Sequence, residues 1–244
     1  YTGWYTLSLH DALPIWFTNF HAAPMCTPTR AQLMTGRDAV RTNAVNVSSG
    51  RTLLRRDLAT MPDLLRRGGY TTALFGKWHL GDNYPYRPQD RGFEEVVTYP
   101  SSHISSVPDF WQNDYFDDTY LHNGRRQAYR GYTTDVFFDE AMAWMRAQKA
   151  AGKPFFTYLA TAAPHGPHFV PQKYRDAVTA RLEAALPKLP PLAPAARRQL
   201  ASYLAMIENL DENMGRLEEF LARENLRDDT LLVFLTDNGT TFGD

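Results

Sequence analysis

The 244-residue chain is 43% hydrophobic and 22% charged, fractions that exclude a disordered, collagen-like or disulfide-scaffold class. Its 26 basic and 27 acidic residues leave a net charge of -1, so no global basic field draws it to nucleic acid or an anionic membrane, and no apolar run approaches the ~20 residues of a bilayer span. A single cysteine, Cys26, forbids an intrachain disulfide and leaves the redox compartment open.

Residues 1–16 lack the basic start, long apolar core and small-residue exit of a secretion signal. They fit poorly with the rest of the chain and read as a non-native leader, leaving 17–244 for fold reasoning. Trp16 to Phe20 suggests a short strand, and Pro28 suits the first turn of a helix over Thr29–Met34 that Gly36 ends. Thr60 and Asp63 form a capping-box pattern. Met61, Leu64 and Leu65 give that helix an apolar face, Arg66 and Arg67 suit its negative end, and Gly68-Gly69 stop it. Tyr70 to Phe75 reads as a strand. Residues 83–131 show little periodicity and read as long loops with short strands, a length uncommon without a functional reason. Helical spacing returns at Thr134 and ends at Gly152 and Pro154; Phe155 to Ala160 comes next as a buried strand. After a proline-rich connection, Leu200, Leu204, Ile207, Leu210, Met214, Leu217 and Leu221 mark one stripe of a long helix, and Thr230–Leu235 reads as a last strand. Helices alternating with short apolar strands predict a layered α/β fold with a mainly parallel sheet.

Ligands of such sheets bind beyond the carboxyl ends of the strands. Three polar clusters fall there: Gly76-Lys77-Trp78-His79, Pro164-His165-Gly166-Pro167-His168 and Asp237-Asn238-Gly239. Cys26 and Arg30 open the first helix, whose start favours an anion or a nucleophile. Each piece alone has a bland reading. A lone cysteine is usually a small buried hydrophobe. Lys77 and His79, two apart in an extended segment, would point the same way, which suits gripping an anion and equally describes a solvated strand end. His165 and His168 flank prolines and could simply stiffen a loop; with no other Cys or His close in sequence, zinc is disfavoured. Asp-Asn-Gly is a common turn, yet it supplies hard oxygen ligands suited to Ca2+ or Mg2+. Together the pieces describe an anion pocket with a cation, two bases and a reactive thiol.

Cys26-Thr27-Pro28-Thr29-Arg30, continuing through Thr35-Gly36-Arg37, resembles the first signature of the type I, formylglycine-dependent sulfatases. Gly69 to Gly81 resembles the second, and Ala163-Pro164-His165 and Thr236-Asp237-Asn238-Gly239 come in the family's order. Asn113–Gly124 and Gly131-Tyr132-Thr133-Thr134-Asp135 are similar to arylsulfatase-like members. The resemblance implies an alkaline-phosphatase-like α/β fold and hydrolysis of sulfate esters, with a sulfated small molecule or glycan as substrate. It implies that a separate formylglycine-generating enzyme oxidises Cys26 to formylglycine. One hydroxyl of the hydrated aldehyde attacks sulfur, and the other then loses a proton and expels sulfate. Arg30 would hold the gem-diol, Lys77 would neutralise sulfate oxygens, His79 would help remove the gem-diol proton and His165 would protonate the leaving alkoxide. Asp237, Asn238 and the modified Cys26 would ligate Ca2+, with Mg2+ as the alternative. Members of the family suggest export to a periplasmic, extracellular or lysosomal space.

Two departures stand out. The family's first strand ends in paired aspartates, whereas Asp11 is the only acid before Cys26, and the lysine expected after Asp-Asn-Gly is not reached by Asp244. Residues 17–244 are therefore expected to be a partial catalytic domain, without the first metal-binding strand and the C-terminal subdomain, inactive and poorly stable alone. A phosphonate or phosphate monoester hydrolase on the same scaffold, or a non-catalytic anion-binding module, are the competing readings.

Overall fold

The computed structural model describes residues 15, 17–47, 53–185 and 192–240. Helix α1 (Cys26–Thr35) starts three residues earlier than the sequence pattern predicts, which places Cys26 in its first turn. Pro28 sits in that turn, where no N–H partner is needed, and Gly36 closes the helix in the left-handed conformation at φ 62°. A short α2 (Ala39–Thr42) is capped by Asp38. Helix α3 (Met61–Arg67) has the anticipated capping box, with Thr60 and Asp63 serving each other's backbone.

Strand β1 (Thr71–Lys77) comes next, then a 3-10 turn over Pro88–Arg91, β2 (Glu95–Tyr99), the hairpin β3 (Thr119–His122) and β4 (Arg125–Ala128), α4 (Thr133–Ala150), β5 (Phe155–Ala160), α5 (Gln172–Ala185) and α6 (Pro194–Arg223). The sheet order is β4-β3-β2-β1-β5. Its centre is parallel, with Phe75 opposite Val97 and Leu159; β3 and β4 add an antiparallel edge. The fold is thus the expected layered α/β class.

Alternation along the strands divides the core. Ala73, Phe75, Val97 and Tyr99 face a large cluster built with α4, α5 and α6. Leu74, Val96, Phe156 and Tyr158 face a second cluster with Ala31 and Met34 of α1 and with Trp78 and Phe93. Gly76 lies where β1 and β5 approach most closely: a Cβ there would come within 2.0 Å of the Ala160 carbonyl, and its φ of 108° excludes most side chains.

Four expectations about strands need correction. Residues 17–20 form a turn rather than a strand and are exposed; Trp16 and the leader up to residue 14 lie outside the described residues. Strand β1 runs on through Gly76 and Lys77 instead of ending at Phe75. Residues 230–235 are not a strand, because among the described residues no neighbour offers them a ladder. Strand β5 is half-buried rather than buried, since among the described residues it pairs only with β1. The stripe of α6 holds in its last turns, where Met214, Leu217 and Leu221 are buried as expected; earlier in the helix Ala201, Ala205, Met206 and Asn209 take the buried line, while Leu200, Leu204 and Leu210 pack at the margin.

Candidate active site

The carboxyl ends of β1, β2 and β5 carry the candidate residues, joined there by the start of α1. Arg30 is buried and its guanidinium organises the floor. Its Nε and Nη2 lie 3.0 and 2.9 Å from Asp237 Oδ2, while Nη1 donates to the Lys77 carbonyl at 2.8 Å and to Tyr158 Oη at 3.2 Å. Burial works against its charge, but Tyr158 and Asp237 outweigh that and hold its pKa above the ordinary value. Removing Asp237 would leave this cation buried without a counter-ion, the costly half of breaking such a pair.

Lys77 is 3% exposed at the end of β1. Burial pushes its pKa down, as does the nearby Arg30, while the neighbouring Cys26 acts the other way. Nucleophile candidate and cation are therefore neighbours in the site. Cys26 itself is a free, half-buried thiol at the helix start, where backbone N–H groups and the positive dipole end face outward.

His79 turns the chain at φ 60°, so the direction it shares with Lys77 does not come from strand alternation. Its Nδ1 lies 3.3 Å from Thr27 Oγ1, whose hydroxyl donates to the His79 carbonyl. Burial first, then Lys77 and Arg30, hold the His79 pKa down to about 3, leaving the ring neutral. His165 Nδ1 lies 2.7 Å from the Gly166 carbonyl and must donate to it; burial lowers this imidazole's pKa as well. His168 instead meets the Tyr203 ring edge-on, at 5.7 Å between centroids.

A cleft of about 360 Å³ opens over this floor, lined by Cys26, His79, His103, His165 and Asn238 among others. A larger depression of about 550 Å³, lined by Arg66, Arg67 and Lys153, lies at the opposite end of the sheet and contains none of these residues. Buried cations, a helix start and neutral imidazoles make the cleft suited to an anion that must exchange protons.

Asn238 Oδ1 is buried without a hydrogen-bond partner, its amide nitrogen being turned to the Gly239 carbonyl at 2.8 Å. An orphan carboxamide oxygen beside a carboxylate is the donor chemistry of a hard divalent cation. Among the described residues no cluster of three or more His, Cys, Asp or Glu could hold a metal, so Asp237 and Asn238 fit such an ion in kind and supply part of its shell.

Cys26, Arg30, Lys77, His79, His165, Asp237 and Asn238, predicted from sequence, all meet at this one place. His103 and Ser102 were not predicted. They come after β2, and the strand-end rule would have flagged them had Glu95–Tyr99 been recognised as a strand inside its aperiodic surroundings.

A family model described as sulfatase matches residues 8–244. The chain is 29% identical over 234 residues to an ulvan-active sulfatase of Formosa agariphila, covering 93% of this chain and 44% of that protein. To an arylsulfatase of Klebsiella aerogenes it is 27% identical over 270 residues, covering 91% and 58%. Among solved structures, Ps i-CgsB in complex with k-i-k-neocarrahexaose superposes with a TM-score of 0.67 at 26% identity, over 82% of this chain and 45% of the other. The chain spans about half the length of the curated relatives it matches. Among the described residues no helix is long and apolar enough to cross a membrane.

Proposed function

The chain belongs to the sulfatase family, and on that premise we propose that it carries the nucleophile and anion-binding half of a sulfuric ester hydrolase acting on a sulfated glycan or small molecule. The observation that supports this most is the buried Arg30, four residues after Cys26 in α1, which bonds both to the Lys77 carbonyl and to Asp237, the latter 207 residues away in the chain. A relative named as ulvan-active and a solved neighbour holding k-i-k-neocarrahexaose support a glycan as the sulfated group.

In this reading a formylglycine-generating enzyme converts Cys26 to the aldehyde, whose hydrate supplies both the attacking oxygen and the means of releasing sulfate. Lys77 places its charge beside that oxygen and the sulfate, where charge develops in a water-poor site. Arg30 keeps the Lys77 carbonyl and Asp237 in register behind it. His79, which lines the cleft beside Cys26, takes the proton that hydrate collapse must shed when the bound sulfate's negative charge offsets Lys77 and Arg30. His165, with Nδ1–H committed to Gly166, gives the bridging ester oxygen a proton from Nε2 once the ring has taken up a second proton from solvent. Asp237 and Asn238 would hold a divalent cation, Ca2+ or Mg2+, which would polarise the sulfate and the nucleophile.

The test is an assay of these residues carried in a chain of the full length of the relatives, co-expressed with a formylglycine-generating enzyme, using 4-nitrophenyl sulfate, phosphate and phenylphosphonate, with intact-mass analysis of Cys26. Turnover of the sulfate ester above the other two is expected, together with the mass change of formylglycine. Lys77→Ala should lower kcat by about 100-fold or more, the usual loss of one charge-stabilising group. Preference for phosphate or phosphonate would move the reading to the sister hydrolases, and full activity with an unmodified thiol would contradict it.

A further inference from the structure

The loop after β2 brings to the cleft a side chain that the proposed reaction leaves unused. His103 stacks on His165 with ring centroids 4.7 Å apart and planes 15° from parallel. Its own Nδ1 lies 2.7 Å from Ser102 Oγ, and both residues line the cleft.

The loop is built to hold that ring still. Next to His103, Ile104 is fully buried in the large core cluster. Ser101 N–H donates to Asp82 Oδ2 at 3.0 Å, and Ser105 donates through its backbone to Asp109 and through Oγ to the Asn113 carbonyl. Buried Asn113 in turn donates to the Thr119 carbonyl at 2.9 Å. Tyr115, two residues on, donates its hydroxyl to the His165 carbonyl at 2.9 Å. The same loop thus grips His165 twice, at its backbone and across its ring face.

His165 needs that second grip. Its ring is hydrogen-bonded from Nδ1 to the carbonyl of the next residue, which ties one edge. A ring tied at one edge can still tilt about that edge, and proton transfer in this geometry falls steeply with misplacement of about 1 Å. The flat face of His103 removes the tilt. We propose that His103 is a positioning residue that stacks on His165 and fixes its Nε2 toward the bridging oxygen of the sulfate ester. The inference rests on the proposed role of His165 as proton donor.

The experiment compares His103→Ala, His103→Phe and His165→Ala in the formylglycine-bearing protein. Two substrates are used: 4-nitrophenyl sulfate, whose leaving group needs no proton, and a sugar sulfate, whose leaving group does. For His103→Ala we expect kcat on the sugar sulfate to fall roughly 10- to 100-fold with KM little changed, and kcat on 4-nitrophenyl sulfate to change little, a weaker copy of His165→Ala. His103→Phe keeps a flat ring and should recover most of the loss. Equal losses on both substrates, a rise in KM alone, or a Phe variant as poor as the Ala variant would each overturn the proposal. Should the unaltered protein hydrolyse neither sulfate, it is the sulfatase reading that fails. The stack is then judged by the ring 15N resonances of His165. A fixed Nδ1–H tautomer lost in His103→Ala and kept in His103→Phe supports it; resonances unmoved in His103→Ala overturn it.

Discussion

His79 shows how the site uses one residue's surroundings to set its chemistry. It is enclosed, and it faces two cations, Lys77 and Arg30, and two further imidazoles, His165 and His103. A proton added there meets lost hydration first and like charge second, so the pKa falls from 6.5 to about 3. The unfolded chain binds that proton more readily than the folded one between these two values. The contribution of this group to stability is therefore full above pH 6.5 and is lost as pH falls toward about 3. In an NMR titration of the histidine-labelled protein, the His79 ring nitrogens should hardly move between pH 8 and pH 5. A midpoint near the ordinary value would mean that this enclosure does not exist in solution. Side-chain features of this kind were partly legible in the sequence. Lys77, His79, His165, Asp237 and Asn238 come after apolar runs, where parallel strands deliver their ligands. His103 was not, because β2 is five residues long and stands among loops whose composition hides it.

Among the secondary-structure elements, the long helix α6 was the plainest periodic signal, and yet its buried line differs from the leucine stripe. The reason lies in a polar joint. Asn209 and Asn213 are buried, and both donate their side-chain amides to Asp135 Oδ1, at 2.8 and 2.7 Å, in the first turn of α4. Arg216 closes the group by donating to Asn213 Oδ1 at 2.6 Å. Bringing both amide nitrogens to Asp135 turns the first half of α6 so that Ala201 and Ala205 face inward and Leu200 and Leu204 lie at the margin, while Met214, Leu217 and Leu221 stay buried. Hydrophobic spacing cannot reveal such a rotation, since the decisive pairing is between helices far apart in sequence. The same joint gives the Asp of Gly131-Tyr132-Thr133-Thr134-Asp135 a structural duty: it locks the helix layer behind the sheet that presents the site. Asp135→Ala should take the charged acceptor from both amides, leaving Asn213 the Asn209 carbonyl at 2.9 Å, and cost about 2–3 kcal/mol, the loss of hydrogen bonds to a charged group. Urea unfolding followed by circular dichroism would measure it, and a change within experimental error would show that the amides find other partners.

The molecule as a whole has one side closed and one side open. The β3–β4 hairpin ends the sheet on one flank, with the exposed, basic β4 as its blunted edge. On the other flank β5 pairs only with β1, and its outer backbone has no ladder partner among the described residues. Residues 230–235 have the composition of a strand, which is why the sequence suggests one. A strand, however, is made by its neighbour as much as by its own residues, and none is paired here. Leu232 still packs against the large core cluster, but Leu231 is 89% exposed, Val233 66% and Phe234 51%. An unpaired ladder edge and a largely exposed apolar strip are together a template for another chain. The 244-residue chain on its own should therefore self-associate in the micromolar range, visible as concentration-dependent sedimentation. Leu231→Lys combined with Val233→Lys places like charges on the exposed positions and leaves Leu232 in the core. It should shift the distribution toward monomer without lowering the melting temperature, because neither side chain is packed in the folded chain. A parent chain that sediments as a monomer at every concentration, or a double variant that associates as strongly as the parent, would show that this flank is already closed in solution.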